Sequence, residues 1–270
     1  NVVFTSTTAN TNVADLSATA GGAGTVPAAP AATISQGSAA TAGVGGIAAG
    51  DVSVTDVNAA STTAAGTITT VSLENFDAAT VNSGALTTLN LAGKGASVDA
   101  STLGALTTAA NTSLAVNTNG LTTTGAVTID SDITTVNVAS TTAKSTIASL
   151  VASGAKSINV SGDAVLAVSA NTLGALTDVT VTNTAGFQLG GSAINTAATF
   201  TGGAGADAVS LGATTKAITM GAGNDTVTSA GLVGTGGSVA AGDGNDTIVM
   251  TSAQAAVADN DATFNSKFTG

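Results

Sequence analysis

From Asp51 onward the chain alternates apolar and polar residues in short runs. "DVSVTDV", "TITTVSL", "LTTLNLAG", "AVTID", "ITTVNVAS", "KSINVSG" and "LTDVTVTN" each predict a half-buried strand of four to seven residues, bounded by Gly, Asn, Asp or Ser. These runs resemble one another. Related segments begin at Ile68, Leu86, Leu106, Ile133, Ala155 and Leu176, so successive starts lie 18, 20, 27, 22 and 21 residues apart. Periods near 20 predict coils of a parallel β-solenoid. A second echo, "STLGALTTA" at Ser101 and "NTLGALTDV" at Asn171, supports the repeat. An irregular β-sandwich is the competing reading, but paired hairpin turns are scarce. One segment departs from the pattern: in "TTAKSTIASLVASG" (Thr141 to Gly154) the residues Ile147, Leu150 and Val151 sit at helical spacing and predict a short helix between coils.

Residues 1–50 lack this texture. They are low in complexity, contain both prolines, and read as an irregular connecting or capping segment with a starting strand at Asn1 to Ser6. We divide the rest into irregular solenoid coils over 51–192, a tighter β-roll over 193–258, and a further repeat or loop over 259–270. The start without Met and the end at Phe268-Thr269-Gly270, inside a pattern like the earlier ones, read as a piece of a longer chain.

Composition strengthens the solenoid. Aromatic residues make up 2% of the chain, and Trp and Tyr are absent. Small and β-branched side chains fill a thin stacked interior more readily than a globular core. A net charge of -11 with five Lys and no Arg leaves little to neutralise phosphates, which argues against nucleic acid and for cations. With no His or Cys, the usual Ser-His-Asp, Cys-His and zinc-protease arrangements are unavailable, and the chain reads as a non-enzyme. No apolar run reaches the roughly 20 residues of a membrane span. "GVGGIAAG" (Gly43 to Gly50) fails as a dinucleotide fingerprint, because no apolar strand precedes it.

The chemistry concentrates in three nonapeptides. "GGAGADAVS" (Gly202 to Ser210), "MGAGNDTVT" (Met220 to Thr228) and "AGDGNDTIV" (Ala241 to Val249) share Gly at positions 2 and 4, Asp at 6 and Val or Ile at 8. Between the first two, "LGATTKAIT" keeps Gly212 and Ile218 but carries Lys216 in place of Asp. Phe200 extends the position-8 row backwards. Asp207 and Asp225 are 18 residues apart, whereas Asp225 and Asp246 are 21 apart. A three-residue insertion at Ser229 to Gly231 restores the register, with Val239 at position 8 and Lys216 at position 6 of the opposite, decayed side. All three aspartates then stack on one side. Carboxylates on adjacent coils, ~4.8 Å apart, repel by roughly 3 kcal/mol at an effective dielectric of 20. A divalent cation reverses that sign, and oxygen-only ligands point to calcium. Asp130 with Asp132, and Asp259 with Asp261, read as solvated turns or loops, with a secondary cation role as the alternative.

These nonapeptides resemble the calcium-binding repeats of the repeats-in-toxin (RTX) family. The resemblance implies a right-handed parallel β-roll with Ca2+ between turns, held by position-6 aspartates and by backbone carbonyls of positions 1 to 4. Asp207 and Asp225 would share one ion, and Asp225 and Asp246 a second. The carbonyls would come from Gly202, Gly203, Ala204 and Gly205, from Met220, Gly221, Ala222 and Gly223, and from Ala241, Gly242, Asp243 and Gly244. The chain departs from the pattern at Met220 and Ala241, where the first Gly is missing. The Ala/Thr/Ser/Gly-rich, Cys-free, acidic texture, with "LTTLNLAG"-like repeats leading into the nonapeptides, is similar to that of bacterial surface-layer (S-layer) proteins carrying RTX segments. That implies a secreted, cell-surface structural protein, exported by type I secretion, that self-assembles with calcium into a two-dimensional lattice. Cell-surface polysaccharide would be a partner through a region outside this chain, with no membrane insertion. An extender segment of a secreted RTX adhesin, or the non-catalytic part of an RTX enzyme, are the alternatives.

Overall fold

The computed structural model describes residues 2–3, 33–36, 50–105 and 111–270. These residues form a parallel β-solenoid. Every alternating run named above contains a strand: Val52–Thr55, Thr70–Glu74, Thr88–Gly95, Ala126–Ile129, Thr135–Ser140, Ser157–Gly162 and Asp178–Val181. The pairings are parallel from coil to coil, apart from an antiparallel pair between Thr33–Gln36 and Val52–Thr55, and in register except for shifts after Ala92 and after Leu189. The expected strand at Asn1 to Ser6 is present as Val2–Val3, paired with Val71 and Ser72; its remainder, "GVGGIAAG" up to Ala49, and Leu106 to Ala110 lie outside the described residues.

The ladder shows where each coil begins. One outward column runs Thr70, Thr88, Ala115, Asn137, Asn159, Thr180, Thr201, Thr219, Ala240, Thr269. Its spacings over the first six residues are 18, 27, 22, 22 and 21, so the long coil runs from Thr88 to Ala115, and the start expected at Leu106 lies outside the described residues. Within this column and its neighbours the outward amides bond along the axis. Asn159 Nδ2 donates to Asn137 Oδ1 at 2.8 Å, and Asn117 Nδ2 donates to Asn90 Oδ1 at 2.8 Å. Such surface rungs are worth little each: Asn159→Ala should lower stability by under about 1 kcal/mol in urea titration.

Inward positions build the core. The apolar column Leu114, Val136, Ile158, Val179, Phe200, Ile218, Val239, Phe268 lines one side, buried throughout except at its last residue. The largest buried side chains are Phe187 and Phe200, followed by Leu and Ile, so the interior is less confined to small residues than the composition suggests. The Thr141 to Gly154 segment is not a helix. It forms strands Ser145–Ile147 and Ser149–Val151, and the chain turns a corner between them. Ile147 and Leu150 are both buried at a spacing of three because the corner resets the alternation.

The N-terminal coils carry a separate seven-stranded sheet, made of Thr33–Gln36, Val52–Thr55, Ala78–Asn82, Ser97–Ala100, Ala126–Ile129, Ser149–Val151 and Asn171–Thr172. It stops at Asn171, whose Nδ2 donates to the carbonyls of Gly190 and Ser192 at 2.7 and 2.9 Å. In the next coil the Phe187–Ile194 strand bulges: Leu189 pairs with Val209 and Ile194 with Leu211, five residues facing two. Beyond this point the solenoid has two sides. No helix among the described residues is long and apolar enough to cross a membrane.

Two helices lie near the C-terminal end: Ser252–Asn260 falls mostly in the span expected as β-roll, and Phe264–Lys267 in the span expected as a further repeat or loop. Ser252–Asn260 is started by a capping box in which Thr251 and Gln254 bond reciprocally. Asp259 lies in this helix. Asp261 caps its end, accepts from Thr263 at 3.0 Å and pairs with Lys267 at 3.8 Å. Asp130 likewise organises a turn, accepting from Asp132 N–H at 2.8 Å and Leu103 N–H at 2.9 Å, while Asp132 is exposed.

Candidate metal centre

The second side of the solenoid brings the three aspartates together. Its inward column reads Leu121, Ser145, Leu166, Phe187, Asp207, Asp225, Asp246. The carboxylates therefore continue an interior column that is mostly apolar in the coils below. Asp207 and Asp225 are each 1% exposed; Asp246 is half-buried. Beside them runs the column Ile147, Val168, Leu189, Val209, Val227, Ile248, which places every position-8 residue of the aspartate side in one row.

Each aspartate bonds one coil down. Asp207 Oδ1 accepts from Phe187 N–H at 2.6 Å, Asp225 Oδ1 from Asp207 N–H at 2.7 Å, and Asp246 Oδ1 from Asp225 N–H at 3.0 Å. Ser145 Oγ does the same for Leu121 N–H at 3.2 Å. The second oxygens differ. Asp207 Oδ2 accepts from Gly203 N–H at 2.8 Å, whereas Asp225 Oδ2 is buried with no hydrogen-bond partner. An orphaned buried carboxylate oxygen costs about 1–3 kcal/mol or more when charged. Burial, then the charges of Asp207 and Asp246, push the Asp225 carboxyl up to about 6 despite the N–H it accepts. Burial also raises Asp207, opposed by the N–H groups of Phe187 and Gly203.

The glycines shape the loops above and below. Gly221 and Gly242 both have φ of +99°, and Gly223 and Gly244 have +130° and +144°, the left-handed range that favours glycine. A Cβ at Gly221 would overlap the Gly203 carbonyl oxygen, and one at Gly242 the Gly221 oxygen, so the loops nest carbonyl against Cα. Met220 and Ala241, where the first Gly is missing, turn their side chains into the interior. Several assigned carbonyls already serve the stack: Gly203 O accepts from Ala222 N–H, Gly221 O from Asp243 N–H, and Asp243 O from Gly223 N–H, at 2.8 to 3.0 Å.

The coil between Asp225 and Asp246 does hold three extra residues, but not as one block at Ser229 to Gly231. Ser229 still pairs with Leu211, a separation of 18. Val233 faces Thr214, a separation of 19, and Ser238 faces Ala217, a separation of 21. One residue enters before Val233 and two in the Gly234–Gly237 turn. Lys216 thus stands opposite Gly237, and Gly236 lies in the turn at φ +79°. Val239 pairs with Ile218, as the restored register requires.

The donor set fits a hard cation that takes carbonyl as well as carboxylate oxygens. Among the described residues no three carboxylate, imidazole or thiol side chains converge by themselves as a metal site, so backbone oxygens must complete any coordination. Asp225 Oδ2 supplies the unsatisfied anion. The nonapeptides did not show that each Asp also caps an N–H in the coil below; that follows from the inward column. No protein-family model matches the chain, and no curated protein matches it.

Proposed function

We propose that this chain is a calcium-stabilised structural segment of a bacterial surface layer, in which copies associate into a two-dimensional lattice. The observation that carries the calcium reading is the buried, unpartnered Asp225 Oδ2 between two stacked carboxylates. A cation there satisfies the orphaned oxygen and removes the like-charge repulsion at one stroke. Support for the lattice comes from the Cys-free, Thr/Ala/Gly-rich acidic composition joined to the nonapeptide block. Its location would be the outside of the cell, where calcium stands near the millimolar range suited to weak extracellular modules.

Electron microscopy of the purified chain tests the assembly. In millimolar calcium it should form sheets that disperse on adding EGTA and return when calcium is restored. A persistently monomeric rod in calcium would sink the lattice and favour the extender of an adhesin.

A further inference from the structure

We infer that the three aspartates are not equivalent: Asp207 is a positioning residue that joins the ion-free coils to the ion-bound ones, and a single cation sits between the Met220–Asp225 and Ala241–Asp246 loops. This rests on the calcium reading above and assigns roles within that site.

The two oxygens of Asp207 are both taken by backbone amides. Oδ1 holds Phe187 N–H in the coil below, and Oδ2 holds Gly203 N–H four residues back in its own loop. A cation approaching Oδ2 must displace an amide hydrogen that already neutralises part of the charge. Asp225 offers the opposite situation, with Oδ1 used on Asp207 N–H and Oδ2 free and buried at 1% exposure.

Backbone shape divides the loops at the same place. The glycines at positions 2 and 4 are left-handed in the upper two loops (Gly221, Gly223, Gly242 and Gly244), but Gly203 and Gly205 are not. The Gly202–Asp207 loop is stacked instead on a turn with no carboxylate, Val181 to Phe187. Asn183 closes that turn: its Oδ1 accepts from Ala185 and Gly186 N–H, and its Nδ2 donates to Ser161 and Ala164 carbonyls. The neutral amide satisfies that turn without a metal. Asp207 is the intermediate: it closes its own loop as Asn183 does and presents its N–H to Asp225.

Calcium stoichiometry by equilibrium dialysis and atomic emission separates the roles. Asp225→Asn and Asp246→Asn should each lose one bound ion relative to the unaltered chain, and Asp207→Asn should lose none. Asp207→Asn should instead split thermal unfolding in calcium into two transitions, because the join between the two halves is weakened. Loss of two ions in Asp225→Asn, or of one in Asp207→Asn, overturns the assignment; the first outcome decides even if Asp207→Asn does not fold. If the unaltered chain binds no calcium, the calcium reading itself fails, a result distinct from either of these.

Discussion

Gly221→Ala should unfold the C-terminal coils at a denaturant concentration that leaves the N-terminal coils intact. Two costs add at this position. The backbone there has φ +99°, which costs a residue with a Cβ about 1–2 kcal/mol. The new methyl group would also overlap the Gly203 carbonyl oxygen and crowd Gly202, all backbone atoms that cannot swing aside. Forcing a neighbouring coil to move adds about 1–3 kcal/mol, so the total is about 3 kcal/mol or more. Gly174→Ala is the matched control. It has no atom within 4 Å of the added Cβ and no left-handed φ, so its effect should stay within about 0.5 kcal/mol or be slightly stabilising. Urea titrations followed by limited proteolysis would compare the two, and equal midpoints would mean that the loops do not nest as described.

The parallel solenoid was legible because strand period and coil period both survive in the sequence. Alternation marks the inward face, and the similarity of "TTVN" and "KSIN" marks the stacked pair Asn137 and Asn159, whereas the Asn90 of "TTLN" stacks on Asn117 two residues out of that column. The stacking of Asp207, Asp225 and Asp246 followed from position counting alone, since pairing of their neighbours is in register. The details were lost wherever the backbone changes direction. The corner after Ile147 places two inward residues three apart, which imitates a helix. Turns absorb extra residues in more than one place, so the three-residue excess near Val233 could be counted but not located. The Ser252–Asn260 helix did announce itself through Thr251 and Gln254, a Thr-x-x-Gln capping box. The roles of the aspartates' second oxygens had no signal in the nonapeptides, because they depend on which N–H groups the coil below brings near.

In EGTA, protection of the Thr226 to Thr228 amides should be greater at pH 5 than at pH 7.5, and calcium should abolish that difference. Folding raises the Asp225 carboxyl from its ordinary 3.8 to about 6, so between those values the folded chain binds more protons than the unfolded one. Stability contributed by the protonated acid is complete below 3.8 and disappears as pH rises through about 6. The whole change is about 3 kcal/mol at roughly 1.4 kcal/mol per unit. About half of it falls between pH 5 and 7.5, which corresponds to roughly tenfold in protection after correction for intrinsic exchange. The N-terminal coils should not follow this trend. Asp56 is buried, which pushes its carboxyl up, but the N–H groups of Asn58, Ile68 and Thr67 and the Ser83 hydroxyl outweigh burial and hold it below its ordinary value. Its contribution is present above 3.8 and lost only as pH falls through the lowered value. Calcium takes the place of the proton on Asp225 and selects its ionised form, adding about 2.7 kcal/mol at a hundred times its dissociation constant. Protection in calcium should therefore be nearly the same at pH 5 and 7.5 at Thr226 to Thr228, as it is around Val71 and Leu89. A fall with pH in calcium as steep as that in EGTA would mean that no cation occupies the column.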